Sequence, residues 1–236
     1  MNDNPTAALS LAVPAYFHPA VTRKVWQRLP RLAHVLRFVV LNVNSGPGDA
    51  VDPHYVPVVA KLQAAGVRVV GYVDTDYGRR TPGEVARDVD TYHHRYGVEG
   101  VFLDQVTTGL DQLDHYAQCV LAARTHGSRF VVLNPGAHPH PGYVDLANVT
   151  VTFEGPWAQY VPLSPPEWVH RYPSSRFCHL VHSLPRCSFA QGLRLAAGRH
   201  VGSAFLTDSR GANPWDHVPA LLTGELELAR SGAQAR

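Results

Sequence analysis

The stretch RVVGYVDTDYGRRTPGEVARDVDTYHHRYGVEGVFLD, residues 68–104, contains one complete strand–helix–strand unit. It begins with the apolar run RVVGYVD (68–74), continues through a helical stretch at 82–96, and ends with a second apolar run, GVFLD (100–104). Near-continuous apolar runs of this length are typical of strands that are buried on both faces, as parallel sheets require. The stretch therefore predicts an α/β fold with a parallel sheet.

The same unit repeats along the chain. The other predicted strands are LAVPAYFH (in the region 9–18), FVVLNVN (38–44), RFVVLN (129–134), VTVTFE (149–154), FCHLVH (177–182) and GSAFLTD (202–208). The predicted helices are 21–35, 53–65, 82–96, 110–126, 141–146, 157–171, 188–198 and 214–230. No G-x-G-x-x-G loop follows an early strand, which argues against a doubly wound sheet. Eight units in 236 residues favour one domain, residues 1–236, folded as a (β/α)₈ TIM barrel.

The composition excludes several classes of function. Hydrophobic residues make up 45% of the chain and charged residues 17%, which indicates a globular protein with an ample core. The formal charge is +2 and the basic residues are scattered, so we expect no nucleic-acid partner. No run approaches the roughly 18 apolar residues of a membrane span. The first residues lack a basic region, and Pro14 interrupts their apolar stretch, which predicts a cytoplasmic protein, or a secreted one if a leader was removed.

The cysteines and histidines do not form a metal-binding pattern. Cys119, Cys178 and Cys187 are odd in number and lack C-x-x-C spacing, so we expect buried free thiols, with a Cys178–Cys187 bridge as the alternative. His138 and His140 have no third ligand at metal spacing. We therefore expect no metal site.

Each of the eight predicted strands ends in hydrogen-bonding side chains. In a (β/α)₈ barrel these ends converge on one mouth, where the chemistry of such enzymes lies. The residues at the ends are Tyr16, His18, Asn42, Asn44, Tyr72, Asp74, Asp104, Gln105, Asn134, Glu154, His182 and Asp208. Each residue alone has an ordinary explanation, because strand ends enter solvent, and His182 is also compatible with a buried structural histidine. The complete ring indicates a functional site, in which we expect Tyr16, His18, Asn44, Tyr72, Asp74, Gln105, Asn134, His182 and Asp208 to bind the substrate.

Asp104 and Glu154 are a pair of carboxylates within this ring. They end the fourth and sixth strands, and residues from even strands share layers in a barrel, so the two can face each other across the mouth. Two carboxylates that flank one bond are what glycosidic cleavage needs. Asp104 is also compatible with a helix N-cap, whereas Glu154 precedes a Gly-Pro turn and has no capping role. Tyr72, Tyr77 and Trp157 are candidates for a sugar-stacking surface or for barrel packing.

Segments spread over nearly the whole chain carry a recognisable pattern. They are VPAYFHP (13–19), VVLNVNSGPG (39–48), the stretch 52–80 that ends in YVDTDYGRR, DVDTYHHRYGVEGVFLDQ (88–105), the stretch 131–155 from VVLNPG to TFEG, LVHSLP (180–185), AFLTD (204–208) and NPWDHVP (213–219). In this order they resemble the spherulin 4-like family, barrel proteins related to glycoside hydrolases acting on α-linked galactosamine polysaccharides. The resemblance implies a (β/α)₈ fold and hydrolysis within an amino-sugar polymer, with a carbohydrate partner and no metal or organic cofactor.

The family's acidic positions fall on Asp104, Gln105 and Glu154. The resemblance implies that Asp104 is the nucleophile or charge stabiliser and Glu154 the general acid/base, although the roles are interchangeable. A retaining enzyme holds its two carboxyl groups about 5–5.5 Å apart, and an inverting one roughly 6.5–9.5 Å. Where the family commonly reads F-F-D-E, this chain reads F-L-D-Q (102–105), and the amide of Gln105 cannot titrate. The alternatives are therefore a carbohydrate-binding barrel without activity and a barrel enzyme acting on a small molecule.

Overall fold

The computed structural model describes residues 9–215, which form a closed barrel of eight parallel strands arranged in sequence order. The strands are β1 Ser10–Ala15, β2 Leu36–Leu41, β3 Val69–Asp74, β4 Gly100–Asp104, β5 Phe130–Leu133, β6 Val149–Pro156, β7 Phe177–His182 and β8 Ser203–Leu206. The helices are α1 Arg23–Arg28, α2 Tyr55–Ala64, α3 Pro82–Tyr96, α4 Leu113–Thr125, α5 Gly142–Leu146, α6 Trp157–Tyr160 and α7 Phe189–Gly198. The expected (β/α)₈ fold is confirmed. Across residues 9–215, no helix combines the length and apolar character needed to cross a membrane.

Apolar side chains cover both faces of the strands, which explains why the strands are near-continuous apolar runs. Val70 and Val73 of β3 are fully buried although they lie three residues apart, so both faces of this strand are covered. Burial of such area contributes about 25 cal/mol per Å². Gly71 lies between them because a Cβ at this position would come within 2.5 Å of the Tyr92 ring of α3. Close packing of α3 on β3 therefore requires glycine here.

The helix that follows β3 begins and ends at residues the local sequence specifies. Thr81 accepts the backbone N–H of Glu84, and the Glu84 carboxylate accepts the backbone N–H of Thr81, which together form a capping box. Pro82 occupies the first helical turn, where its missing N–H costs nothing. Gly97 ends the helix with φ 65°, the left-handed conformation that glycine adopts freely. These signals fix the loop at 75–80, which lies at the barrel mouth.

Two predicted helices are wrong over much of their length. In 157–171 only Trp157–Tyr160 is α-helical, and a 3-10 turn follows at Glu167–Arg171. Prolines at 162, 165 and 166 remove backbone donors and prevent the helix from continuing. In 21–35 the α-helix ends at Arg28 and gives way to a 3-10 turn that contains Pro30.

The segment predicted at 110–126 starts as a 3-10 turn, Leu110–Gln112, before α4 begins at Leu113. The helix predicted at 214–230 lies almost wholly outside the described residues.

The three cysteines are free thiols. Cys119 and Cys178 are buried as expected, whereas Cys187 is exposed, so the expectation of burial is wrong for this residue. It lies in a 3-10 turn before α7, while Cys178 lies within the barrel wall, and the alternative of a bridge between them is also wrong.

Candidate active site

The two predicted carboxylates meet at the C-terminal mouth of the barrel. Asp104 is the last residue of β4, and Glu154 lies near the end of β6. The Asn134 side-chain nitrogen lies 2.6 Å from Asp104 Oδ1 and 2.6 Å from Glu154 Oε2, and it donates one hydrogen bond to each. The two bonded oxygens are therefore separated by at most twice 2.6 Å, about 5.2 Å. The structure thus brings both acids to one place.

The orientation of the Asn134 amide is fixed by its own hydrogen bonds. Its side-chain oxygen accepts the backbone N–H of Gly136 at 3.1 Å, which leaves the NH₂ group to face the carboxylates. Its backbone N–H donates to the carbonyl of Leu103 at 2.8 Å, and its carbonyl accepts the N–H of Val106 at 3.1 Å. Asn134 is 5% exposed and continues the pairing of β5 with β4 beyond the strand ends. It is a rigid bridge between the two acids.

A β-bulge in β6 sets the direction of the Glu154 side chain. Val151 pairs with Cys178 of β7, and Glu154 pairs with Leu180, so three residues on β6 span two residues on β7. In a regular strand, residues three apart point to opposite faces. The extra residue returns Glu154 to the face of Val151, toward the barrel axis, and bulges commonly re-aim side chains in this way. The backbone N–H of Glu154 is also tied to the carbonyl of Gly136 at 2.9 Å.

Three donors surround the Asp104 carboxylate. The Tyr72 hydroxyl donates to Oδ2 at 2.8 Å, the Asn134 amide donates to Oδ1, and the backbone N–H of Gln105 donates a third hydrogen bond. Burial raises the pKa of Asp104, and these three hydrogen bonds to the charged form oppose the rise. Asp104 is therefore the acid of the pair whose ionised form has more support.

Glu154 retains its proton to a higher pH than an exposed glutamate does. Burial, followed by repulsion from the nearby Asp104 charge, raises the pKa of Glu154 from 4.5 to about 7. Hydrogen bonds from Asn134 and from the indole of Trp215 act in the opposite direction but do not cancel the rise. At pH 7 Glu154 is therefore protonated in about half of the molecules.

A cavity of about 490 Å³ opens beside the carboxylates, on the side of β1, β2 and the loop after β8. Its lining includes Tyr72, which binds Asp104, and Trp215, which binds Glu154. The other lining residues are Tyr16, His18, Asn42, Val43, Asn44, Ser45, Tyr55, Ala212, Asn213 and Pro214. Burial and the two carboxylate charges raise the pKa of Tyr16 well above its ordinary value, so its hydroxyl remains a proton donor. The cavity offers hydroxyl, amide and aromatic groups, the kinds of groups that bind sugars.

The loop after β8 is tied to β1 and carries Trp215 to its place. The Asn213 amide donates to the carbonyl of Tyr16 at 3.3 Å, and its side-chain oxygen accepts the N–H of Trp215 at 3.2 Å. The ring of His182, at the end of β7, packs edge-on against the Trp215 ring, with the two ring centroids 5.7 Å apart. Burial lowers the pKa of His182, so its neutral form is favoured. His182 therefore supports Trp215.

His18 and Asp208 were predicted from their strand ends, and both have partners outside the carboxylate pair. His18 lines the cavity, but one ring nitrogen bonds Asp52 at 2.8 Å and the other accepts the N–H of Ala20 at 3.1 Å. Both nitrogens are thus occupied. Asp208 accepts a hydrogen bond from Arg186 at 2.6 Å in an ion pair on the rim of the barrel.

The remaining predicted residues lie around the β3–β4 side and near β6. Asp74 accepts the backbone N–H of Asp76 at 2.6 Å and lies beside Asp104 in the strand register. Tyr77 is 57% exposed on the rim. Trp157, the first residue of α6, packs against the barrel core and does not line the cavity, which agrees with its packing interpretation.

Backbone strain is concentrated at the mouth. Among the described residues, six non-glycine residues have positive φ, and five of them lie in loops that follow strands. These five are Ser45, Asp76, Tyr77, Gln105 and Ser183. Such conformations cost of order 1–3 kcal/mol each and cluster at functional sites. Gln105, with φ 54°, uses its backbone carbonyl to accept the N–H of Tyr77 at 3.0 Å and the hydroxyl of Thr75 at 2.9 Å.

Several lining residues were not singled out from sequence. Trp215 and Asn213 lie in the segment NPWDHVP, which belongs to the family pattern but follows no strand directly. Their position in that pattern was the available signal. Tyr55, at the start of α2, and Ser45, in the loop after β2, also lie in segments of the family pattern, the stretches 52–80 and 39–48.

Comparisons with known proteins agree with this architecture. The model of spherulation-specific family 4 matches residues 10–229. Spherulin-4 of Physarum polycephalum is 31% identical over an alignment of 191 residues, which covers 74% of this chain and 56% of that protein. This chain therefore matches little more than half the length of that relative.

Solved structures extend the comparison. The crystal structure of Aspergillus clavatus Sph3 in complex with GalNAc is 25% identical in sequence to this chain, with a TM-score of 0.79. The alignment covers 94% of this chain and 97% of the Sph3 chain. A putative α-L-fucosidase from Bacteroides thetaiotaomicron, 8% identical with a TM-score of 0.55 over 99% of this chain and 96% of its own, shares the fold alone.

Proposed function

The chain belongs to spherulation-specific family 4, and from this premise and the carboxylate pair we propose that it is a glycoside hydrolase that cleaves an amino-sugar polymer with retention of configuration. The observation that carries the proposal is the Asn134 amide bonded to both Asp104 and Glu154. It limits the distance between the two bonded oxygens to about 5.2 Å. Retaining glycosidases have carboxyl groups about 5–5.5 Å apart, whereas inverting enzymes need roughly 6.5–9.5 Å.

The different surroundings of the two acids support a division of roles. Glu154, with a pKa raised to about 7, is the general acid, because it still holds a proton near neutral pH. Asp104, which accepts three hydrogen bonds, is the nucleophile, because its ionised form is the better supported. Two carboxyl groups whose environments separate their pKa values are typical of glycosidase sites.

The reaction proceeds in two steps. Glu154 gives its proton to the glycosidic oxygen while an Asp104 oxygen bonds to the anomeric carbon, and the leaving sugar departs with that proton. Glu154, now ionised, then takes a proton from water, and the oxygen of that water displaces Asp104 from the anomeric carbon. Both acids return to their starting states, and the two inversions retain the configuration. Asn134 stabilises each carboxylate as its charge develops.

The substrate class rests on two supports. The solved relative Sph3 was crystallised in complex with GalNAc, and this chain aligns with 97% of it. The cavity of this chain presents the hydroxyl of Tyr16 and the amides of Asn42, Asn44 and Asn213, groups that can bind sugar hydroxyl and acetamido groups. We therefore place an N-acetylgalactosamine unit of the polymer beside the carboxylates.

A sugar-binding barrel without hydrolysis is the second candidate, and Gln105 is the observation that favours it. The structure gives position 105 a backbone role, since its carbonyl anchors Thr75 and Tyr77 while its N–H supports Asp104. A glutamine can serve these backbone contacts as well as a glutamate. The carboxylate pair is therefore assembled without an acid at 105, which favours hydrolysis.

The test is release of new reducing ends from N-acetylgalactosamine-containing polysaccharide. Asp104→Asn and Glu154→Gln should each lower the rate at least about 10³-fold, because each removes a group that acts in the transition state. Asp114→Asn and Glu167→Gln, which change exposed acids of the same types, are the matched controls and should retain full activity. Proton NMR of the first product should show the anomer of the substrate.

Three outcomes separate the candidates. Tight binding of the oligosaccharide by the wild-type protein with no new reducing ends selects the sugar-binding barrel. Full activity of both carboxylate variants contradicts the two-acid mechanism. Inverted product contradicts the role of Asp104 as nucleophile while leaving hydrolysis intact.

A further inference from the structure

The N-terminal face of the barrel, opposite the mouth, contains a second cavity of about 630 Å³. Its polar walls come from the beginnings of four neighbouring strands. Arg37 is the second residue of β2, Arg68 immediately precedes β3, Glu99 immediately precedes β4, and Arg129 immediately precedes β5. Nothing in the proposed hydrolysis uses this face, because Asp104 and Glu154 lie at the opposite, C-terminal ends of the barrel strands.

The cavity has an excess of positive charge. Glu99 pairs with Arg129 at 3.4 Å. Within residues 9–215, no carboxylate forms an ion pair with Arg37 or Arg68. Arg37 is half-buried, and its burial together with the neighbouring Arg68 charge lowers its pKa. Two like charges that repel each other in a recess represent an unfavourable arrangement that a bound anion relieves.

The two guanidinium groups are held by one aromatic ring. The Arg37 and Arg68 guanidinium carbons lie 5.6 Å and 5.1 Å from the centroid of the Phe130 ring. The ring of Phe38 lies next to the Phe130 ring, with the two centroids 6.1 Å apart, and makes the base of the cluster apolar. Packing on an aromatic ring fixes a guanidinium through its flat surface, which leaves N–H donors at its edge for a planar or tetrahedral oxyanion.

Asn148 supplies a further donor on the cavity wall. Its side-chain oxygen accepts the backbone N–H of Val131 at 2.8 Å. Because this bond occupies the oxygen, the NH₂ group of the same amide is left to donate, and no acceptor for it occurs in the part of the chain that the structure describes. The recess therefore combines two uncompensated guanidinium groups with a neutral hydrogen-bond donor.

We propose that this cavity is a binding site for a phosphate group, either free or as the monoester of a small molecule. A phosphate monoester carries a charge of about −1.5 to −2 at pH 7, which matches the two uncompensated charges of Arg37 and Arg68. Guanidinium forks bind phosphate oxygens in pairs, and the amide of Asn148 donates to a third oxygen. The cavity of about 630 Å³ is large enough for the organic part of an ester as well.

Isothermal titration calorimetry tests the proposal on the full chain. Inorganic phosphate and glucose 6-phosphate are titrated separately at pH 7.5 and low ionic strength, with sodium chloride of equal ionic strength as the reference. We expect saturable binding of at least one phosphate compound and none of chloride. The double variant Arg37→Gln/Arg68→Gln should bind at least tenfold more weakly, a loss of about 1.4 kcal/mol. The charge-matched control is Arg87→Gln/Arg171→Gln, at two exposed arginines outside the cavity lining, and should bind like the wild type.

The comparison of ligands and variants decides the outcome. Binding of inorganic phosphate identifies the free anion as sufficient, whereas binding of glucose 6-phosphate alone identifies an ester, and either result supports the proposal. Arg37→Lys/Arg68→Lys, which keeps the charge but loses the forks, should show an intermediate affinity. Absence of phosphate binding to the wild-type protein, or equal binding by a folded double glutamine variant, overturns the proposal. Because Asp104→Asn leaves this face unchanged, phosphate should bind that variant normally whether or not the protein hydrolyses sugars.

Discussion

Substitution of Glu154 by glutamine should stabilise the folded protein at alkaline pH while it abolishes hydrolysis. In the native state burial and the Asp104 charge raise the pKa of Glu154 to about 7, compared with 4.5 when neither acts. Below about pH 4.5 the group is protonated in the folded and the unfolded chain, so it contributes no pH dependence. As the pH rises toward 7 the unfolded chain releases the proton while the folded chain keeps it, and stability is lost.

The size of this effect follows from the two pKa values. Their difference, about 2.5, multiplied by 1.36 kcal/mol for each pKa unit, gives about 3.4 kcal/mol of stability lost above pH 7. Glutamine cannot ionise, so the variant avoids this loss. It has one acceptor oxygen for the two donors, Asn134 and Trp215, so one hydrogen bond is lost at a cost of about 1 kcal/mol at every pH. We expect the variant to be about 1 kcal/mol less stable at pH 4 and about 2 kcal/mol more stable at pH 8.5.

The assay is urea unfolding of the wild type and the variant at a series of pH values from 4 to 9. The informative quantity is the change in their stability difference with pH, about 3 kcal/mol, because the lost hydrogen bond is common to all conditions. Glu167→Gln, at an exposed position, is the control and should shift stability by less than about 0.5 kcal/mol. A stability difference for Glu154→Gln that stays constant from pH 4 to 9 would refute the account of Glu154 as a buried acid beside a second charge.

Three other changes probe the site and the fold. Tyr72→Phe removes a hydrogen-bond donor from Asp104 and so raises the pKa of Asp104. The acid limb of the profile of kcat/KM against pH should therefore move up by roughly one pH unit. An unchanged acid limb would show that Tyr72 does not support the ionised form of the nucleophile. Trp215→Phe removes the indole donor that lowers the pKa of Glu154. The basic limb of the same pH profile, expected near pH 7 in the wild type, should therefore move to higher pH. A shift of that limb to lower pH would contradict the hydrogen bond from Trp215 to Glu154. Gly71→Ala places a methyl group within 2.5 Å of the Tyr92 ring. Urea titrations should show a free energy of unfolding that is lower by about 2 kcal/mol or more. A neutral effect would show that α3 moves freely on β3.

The primary sequence was sufficient for the barrel and for the composition of its mouth. Apolar runs such as 68–74 and 100–104 predict buried parallel strands because only a strand covered on both faces needs apolar side chains at consecutive positions. Residues at the ends of those runs must meet, since all parallel strands of a closed barrel end at one face. Asp104 and Glu154 followed from this reasoning without any knowledge of distances. The helix predicted at 157–171 is wrong because its three prolines remove backbone donors and prevent the helix from continuing.

The tertiary structure decided how these residues act together. The bulge before Glu154 depends on pairing with β7, and no local pattern in VTVTFE reveals that an extra residue is inserted there. Asn134 was expected among the substrate-binding residues, and the folded chain directs its amide to both acids. Trp215 contacts Glu154, and Arg68 packs on the ring of Phe130, and both partners are distant in sequence. Side-chain type and strand periodicity are local properties that a sequence contains directly, whereas pKa values and charge excess depend on distances of a few ångströms that exist only after the barrel has closed.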